Sequence, residues 1–561
     1  MADGGVSFSP FARAAALILL LVVLAYLPAL GAGFVWDDRE YVWANPAVLS
    51  GRELVQAWFS PTSMSSFGNE GVQFYPVTFT SFWLEYKLWA ANPLGYHIVN
   101  IALHALNALL VWTVLTRLHV PGALLAAALF AVHPVEVESV AWISERKNLL
   151  AAAFYFSALL AWVRFVGSGE ARSYVLSLAL FAAAVLSKTI AVTFPLVLPL
   201  IDLWQGVKPS GRRSWHLIPF FAFSAFAGLL NVHWERSGRD LPVYTIAERI
   251  VLAGQAFWFY VGKLVWPVDL TTLYPRWEVG ASPSQLAYPL AAAAVVVVLW
   301  VLRRRITPGP FVAVMFFVIA LLPVLGLEPF ALMKLTLVAD HHQYIASTGL
   351  LALFAATVTV VLGAPGAAVG AIPILAALLF MTRVYCLDYR SEEELWRANA
   401  RVNPVSWFAH YNVGTLLMQR GANDEALEQL RTSLRLKPDY GWTHANLGTL
   451  LAMRGEVDQA IEHFREQSRL APHLPEAAVN LGIALSLKGE SGEAARQYER
   501  ALRLDPNHVA AHFNYGQLLE SGGRLDEAIE QYSIAVKLAP DNEDVKGYLR
   551  SAIDRRAQPA S

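Results

Sequence analysis

Apolar and polar positions divide this chain near residue 386: before it, apolar runs recur with few charges, and after it comes a charged, helix-favouring segment with a fixed repeat. The first run, residues 11–30, is long enough to cross a hydrocarbon core of roughly 30 Å. Its length and the runs that follow favour an uncleaved anchor over a signal peptide, although residues 31–33 mimic a cleavage site. Further runs occupy 97–116, 121–133, 148–165, 173–187, 190–204, 215–231, 285–302, 311–326, 345–362 and 368–385, so the pattern predicts eleven spans. Several are short for a straight crossing, and those ending at His133 and Lys188 are expected to stop inside a protein-lined cavity.

Basic residues set the orientation. Arg117, Arg164, Arg172, Lys208, Arg212, Arg213 and Arg303 to Arg305 belong in the cytoplasm, which puts the N-terminus inside. The apolar stretch 249–265 would invert Arg303 to Arg305 if it crossed, so it is laid along or partly into the outer leaflet. The loops 31–96, 134–147, 232–284 and 327–344 then share the outer side with the C-terminal module. The expected location is the inner, cytoplasmic membrane, with the C-terminal module in the periplasm or its equivalent.

From residue 407 a period of 34 residues governs the pattern. Gly414, Gly448, Gly482 and Gly516 share one phase, Ala426, Ala460, Ala494 and Ala528 a second, and Pro438, Pro472, Pro506 and Pro540 a third. Phe464, Tyr498 and Tyr532 fill the aromatic packing position. These columns identify a tetratricopeptide array of four units, 407–440, 441–474, 475–508 and 509–542, with a connecting helix at 387–406 and a helical tail at 543–561. Gly and Ala let paired helices approach closely, and Pro closes each unit because it cannot donate into a further turn. The fold class is therefore all-α: a polytopic membrane helical bundle over 1–386, then an α-solenoid. A fourth column, Asn412, Asn446, Asn480 and Asn514, suits contacts to the backbone of a docked polypeptide; a helix-packing role is the alternative.

Composition adds exclusions. The chain has 561 residues, 56% hydrophobic and 16% charged, which fits neither a disordered protein nor an ordinary soluble enzyme. A net charge of −1 provides no footprint for nucleic acid, and the single cysteine, Cys386, excludes a disulfide framework or a cysteine metal cage.

Chemistry concentrates in the outer loops. The run Phe34-Val35-Trp36-Asp37-Asp38-Arg39 sets two carboxylates beside a span, where paired acids are costly unless they are useful. The second loop carries His133, Glu136, Glu138, Arg146 and Lys147. Glu136 and Glu138 suit metal binding or acceptor positioning, His133 ligation or a structural hydrogen bond, and Arg146 and Lys147 a phosphate or the headgroup layer. Lys188, between two short apolar runs, needs an anionic partner that a lipid phosphate would supply. The last outer loop adds Lys334, Asp340, His341, His342 and Tyr344; adjacent histidines point apart on a helix and chelate poorly by spacing alone.

Taken in order, the acidic first loop, Tyr75-Pro76-Val77, Asn92-Pro93-Leu94-Gly95-Tyr96-His97 with Asn100, His104 and Asn107, His133-Pro134-Val135-Glu136-Val137-Glu138, Ser144-Glu145-Arg146-Lys147-Asn148, Leu186-Ser187-Lys188 and the repeats resemble the transmembrane and tetratricopeptide-repeat O-mannosyltransferase family in its bacterial form. The resemblance covers nearly the whole chain. That family is similar to the protein O-mannosyltransferases and to integral-membrane glycosyltransferases of the GT-C type. The likeness implies a polyprenyl-phosphate-linked sugar donor, a protein hydroxyl acceptor and an active-site acidic pair, which lands on Asp37 and Asp38. Glu136 stands where animal members tend to have His, and Thr189 follows Lys188 where an acid or Pro is common.

On this reading Asp37 or Asp38 is the base, Glu138 positions, and Arg146 with Lys188 meets the phosphate, helped by Lys147 or His341. Inversion follows by analogy with inverting glycosidases. Tyr75, His133, Glu136, Asp340 and His342 complete the candidates. A divalent cation, Mg²⁺ or Mn²⁺, held by Asp38, Glu136 and Glu138 is an alternative to the cationic side chains. The expected partners are the lipid-linked sugar, an acceptor polypeptide on the repeats and the bilayer. A lipid-linked glycan polymerase or ligase and a non-catalytic scaffold are the competing readings.

Overall fold

The computed structural model describes residues 9–59, 74–208, 211–236 and 241–557. Part of the first outer loop (60–73), the Arg212 side chain and the last four residues of the tail lie outside the described residues. Among the described residues every regular element is helical and none is a strand. The chain forms two compact units, Met1–Asn403 and Pro404–Ser561.

In the first unit, each of the eleven apolar stretches carries helix. Among the described residues, six helices are by length and composition apolar enough to cross a membrane: Pro10–Gly31, Pro93–Arg117, Ile143–Ser168, Arg213–Arg236, Pro283–Leu302 and Ser347–Tyr389. The last contains two predicted runs in one element, because Gly363, at φ 69° and ψ 164°, breaks the helix between them. Pro283–Leu302 buries no residue within the protein, as befits a helix surrounded by lipid, whose backbone groups are paired internally.

The other predicted stretches are shorter or bent. Ala123–Val132 meets Pro134–Ala141 at 56°, where Pro134 interrupts the turn after His133. Ala171–Ser187 stops at Lys188, and a 3₁₀ turn, Thr189–Thr193, leads into Phe194–Trp204. Thr78 Oγ1 donates to the Ser187 carbonyl at 3.0 Å, occupying a backbone acceptor that the broken helix leaves open. The stretch near 249–265 is a 20-residue helix, Ile246–Val265, opened by a capping box between Thr245 and Glu248. It is not among the six candidate crossings. Ser391 caps the helix Glu392–Val402, which belongs to the first unit.

The second unit consists of four helix pairs, from Trp407–Gln419 to Leu525–Leu538, closed by Glu543–Ala557. The glycine column marks the closest approach within each pair: a Cβ on Gly448 would lie 2.7 Å from the Phe464 ring, and one on Gly482 2.7 Å from the Tyr498 ring. The tail helix covers the open end, setting Tyr548 against Phe513 at 5.0 Å between ring centroids.

Candidate active site

A short helix, Asp38–Tyr41, follows the first span, and the two aspartates before and within its first turn point to different tasks. Asp38 is fully buried: Oδ2 accepts from the Val35 amide at 2.9 Å and Oδ1 from the Ser144 amide at 2.7 Å. Asp37 Oδ1 accepts from the Ser144 hydroxyl at 2.6 Å. The pair therefore ties the first outer loop to the Ile143–Glu145 turn of the second. Trp36, held at φ 49° in the left-handed region, lies parallel to Trp142 with centroids 5.0 Å apart.

Beyond Ser144 the chain enters the Arg146–Ser168 helix with Glu145 turned inward. Glu145 Oε1 lies 2.8 Å from Lys147 Nζ, and Oε2 lies 3.1 Å from Lys188 Nζ and accepts from Asn148 Nδ2 at 2.6 Å. One carboxylate thus holds two buried ammonium groups in register. Asn148 also donates to the His341 carbonyl at 3.0 Å, and Glu138 accepts from the His341 amide at 2.8 Å, with His341 Nδ1 3.2 Å from its second oxygen. Glu138 consequently orients His341.

These groups border a cavity of about 820 Å³. Asp37, Tyr75, Glu145, Lys147, Lys188, His341 and His342 line it, with Trp36, Trp142, Glu40, Glu235 and Glu392. Its lining also includes the apolar Ile190, Val192, Val232, Pro323, Val324 and Leu332, interspersed with Thr189, Asn231 and Glu328. Burial raises the Asp37 carboxyl above its ordinary range against the opposing Lys147 charge and the Ser144 hydrogen bond. Burial, then the neighbouring Asp37, raises Asp38 further. Burial also pushes Lys188 down to about 8, with Glu145 working in the opposite direction.

Several sequence candidates stand elsewhere. Arg146, expected at a phosphate, is fully buried and saturated: it pairs with Glu85, and donates to Asn100, to Ser81 Oγ at 3.0 Å and to the Tyr96 carbonyl at 2.9 Å. Adjacent residues on a helix face apart, so Lys147 reaches the cavity and Arg146 reaches the Pro76–Trp89 helix instead. His133 accepts from the Val135 amide at 3.4 Å, which puts its proton on Nε2, 3.1 Å from the Leu264 carbonyl. Asp340 accepts from the Tyr274 hydroxyl at 2.8 Å, and Glu136 is buried beside Ser347. None of these lines the cavity. Asp38, Glu136 and Glu138 do not converge: among the described residues no group of three His, Cys, Asp or Glu is placed to hold a metal ion.

Glu145, which lines the cavity, and Glu85, the partner of Arg146, were not singled out by reading the sequence. Glu145 stood in the Ser144-to-Asn148 run, between a hydroxyl and two cations, and that flanking charge was the available signal. Glu85 lies in a mostly apolar helix with nothing nearby to mark it.

In the repeat unit the asparagine amides are engaged locally. Asn412 and Asn514 donate to carbonyls of their own helices, Phe408 at 2.8 Å and Ala510 at 2.7 Å. Asn446 donates to Thr415 of the preceding unit at 2.9 Å, and Asn480 to Gln467 at 3.2 Å.

The tetratricopeptide repeat family matches residues 414–475 and 479–543. Over 229 residues the chain is 34% identical to "Protein O-mannosyl-transferase Tmtc1" of Drosophila melanogaster, covering 40% of this chain and 26% of that protein. It is 38% identical over 156 residues to "Protein O-mannosyl-transferase F38B6.6" of Caenorhabditis elegans, covering 26% and 22%. The chain is a homologue of the transmembrane and tetratricopeptide-repeat O-mannosyltransferases. A longer, weaker match joins it to human "Protein O-mannosyl-transferase TMTC4", 25% identical over 486 residues, covering 72% of this chain and 64% of the human protein. The chain thus spans about a quarter of the length of the first two relatives and nearly two thirds of the human one.

Proposed function

We propose that this protein is an integral-membrane glycosyltransferase that moves a sugar, mannose by its relatives' names, from a polyprenyl-phosphate donor to Ser or Thr hydroxyls of a polypeptide. The observation that carries the proposal is one cavity that presents a raised carboxyl, Asp37, together with Lys147, Lys188 and His341, beside apolar lining residues. Asp37 takes the acceptor proton as the hydroxyl oxygen bonds to the anomeric carbon. The bond from that carbon to the phosphate oxygen breaks, and the lipid phosphate leaves with both electrons. Attack from the face away from the phosphate inverts the centre. Lys147 and Lys188 offset the charge that develops on the leaving phosphate. Glu145 positions both lysines and Glu138 positions His341. The isoprenoid chain follows Ile190, Val192 and Val324. The repeats hold the acceptor polypeptide and raise its effective concentration. The membrane is the cytoplasmic membrane, with the cavity open to the outer side.

The test uses purified protein, radiolabelled polyprenyl-phosphate mannose and a polypeptide rich in Ser and Thr. The wild-type protein is expected to label the polypeptide, and Asp37→Asn to lose transfer by about 10²–10⁴-fold while still binding donor. Retained transfer in Asp37→Asn rejects the base assignment. A product that lengthens as glycan instead of carrying single hexoses on Ser or Thr marks a polymerase.

A further inference from the structure

The Pro93–Arg117, Arg146–Ser168, Phe194–Trp204, Gly309–Leu321 and Ser347–Cys386 helices border a second cavity of about 470 Å³, which shares no lining residue with the candidate active site. Along the last of these helices its lining runs from Thr348 to Val361, about 20 Å at the rise of a helix. One end is closed by Phe156 and Leu159, both buried. The other is open, because Ile306, Val360 and Val361 are 69%, 71% and 73% exposed. The polar groups of the lining are already engaged. Thr348 Oγ1 donates to the Ile345 carbonyl at 2.7 Å, Thr357 Oγ1 to the Leu353 carbonyl at 2.8 Å and Trp204 Nε1 to the Leu118 carbonyl at 2.7 Å, while Thr307 Oγ1 accepts from the Gly309 amide at 3.4 Å. A polar occupant would lose its own hydrogen bonds there, whereas a hydrocarbon chain loses none.

Charge gathers at the open end. Ile306 and Thr307 line it directly after Arg303 to Arg305, and Leu118 lines it directly after Arg117. Arg303 lies on the Trp300 ring, but Arg117, Arg304 and Arg305 are exposed and pair with no carboxylate among the described residues. The five bordering helices contain one acid, Asp202, which stands 3.6 Å from Arg213. We propose that this slot binds one phospholipid with an anionic headgroup from the cytoplasmic leaflet, its acyl chain inside and its phosphate among Arg117, Arg304 and Arg305. A slot of about 20 Å suits an acyl chain that fills one leaflet of a roughly 30 Å hydrocarbon core, and three unpaired guanidinium groups favour a net negative headgroup over a zwitterionic one.

The experiment titrates the detergent-purified full chain with phosphatidylglycerol or phosphatidylcholine of identical acyl chains and counts bound lipid by native mass spectrometry. One phosphatidylglycerol per chain is expected, held at least about tenfold more tightly than phosphatidylcholine. Replacing Arg117, Arg304 and Arg305 together by Gln changes only exposed side chains, so this variant is expected to fold and to bind the two lipids alike. Ala356→Phe fills the slot and should weaken both. Phosphatidylglycerol with a diazirine at the end of its acyl chain should cross-link to the segments around Phe316 and Ala352. Equal affinity of the wild-type chain for the two lipids, or cross-links confined to other segments, overturns the proposal. So does displacement of phosphatidylglycerol by an equimolar polyprenyl phosphate, which would assign the slot to the isoprenoid tail.

Discussion

Burial raises the Asp37 carboxyl and lowers the Lys188 ammonium to about 8, and the proposed roles require the first deprotonated and the second protonated. A base works on the alkaline side of its pKa, so kcat/KM rises with pH through the Asp37 transition, which lies above the ordinary value of about 4. A phosphate-binding ammonium works on the acid side of its own, so kcat/KM falls as pH passes about 8. A bell-shaped profile is expected in the labelled-donor assay. Lys188→Arg, whose guanidinium stays charged, should remove the alkaline fall; if the fall persists, Lys188 is not its source. The adjacent carboxylates were legible as a candidate site, but not the different surroundings of the two. Which one caps two backbone amides and which one faces the cavity depends on Ser144, more than a hundred residues away.

At the scale of elements, the Pro76–Trp89 helix secures the Arg146–Ser168 helix through Glu85 and Arg146, which stands between the cavity-lining Glu145 and Lys147 in the chain. Removing the carboxylate leaves a buried guanidinium uncompensated, which costs about 3–5 kcal/mol. Glu85→Ala should therefore lower the thermal transition of the purified protein, with Glu85→Gln between it and wild type because the amide still accepts a hydrogen bond. A melting temperature unchanged in Glu85→Ala would show that the pair carries no stability. Helix positions and breaks were readable in advance, since apolar length, Pro134 and the polar Lys188 are local signals. The partner of Arg146 was not, because Glu85 lies 61 residues before it and no periodicity links the two.

At the scale of the whole molecule, the chain divides at Asn403 and Pro404 into units with separate cores. If the repeats serve only to hold the acceptor, deleting 404–561 should raise the KM for polypeptide by about 10²-fold or more and leave the KM for lipid donor unchanged. An unchanged polypeptide KM rejects the docking role. The all-α class, the membrane helices and the 34-residue solenoid were determined by the sequence alone, because hydrophobic length and repeat period act through neighbouring residues. Tertiary structure decided which residues line the cavity. It brought Glu145 between Lys147 and Lys188, put Asp37 on the cavity and Asp38 behind it, and turned Arg146 away. Buried charges are stable only where distant segments supply opposite charge or hydrogen bonds, and the identity of those segments is a property of packing.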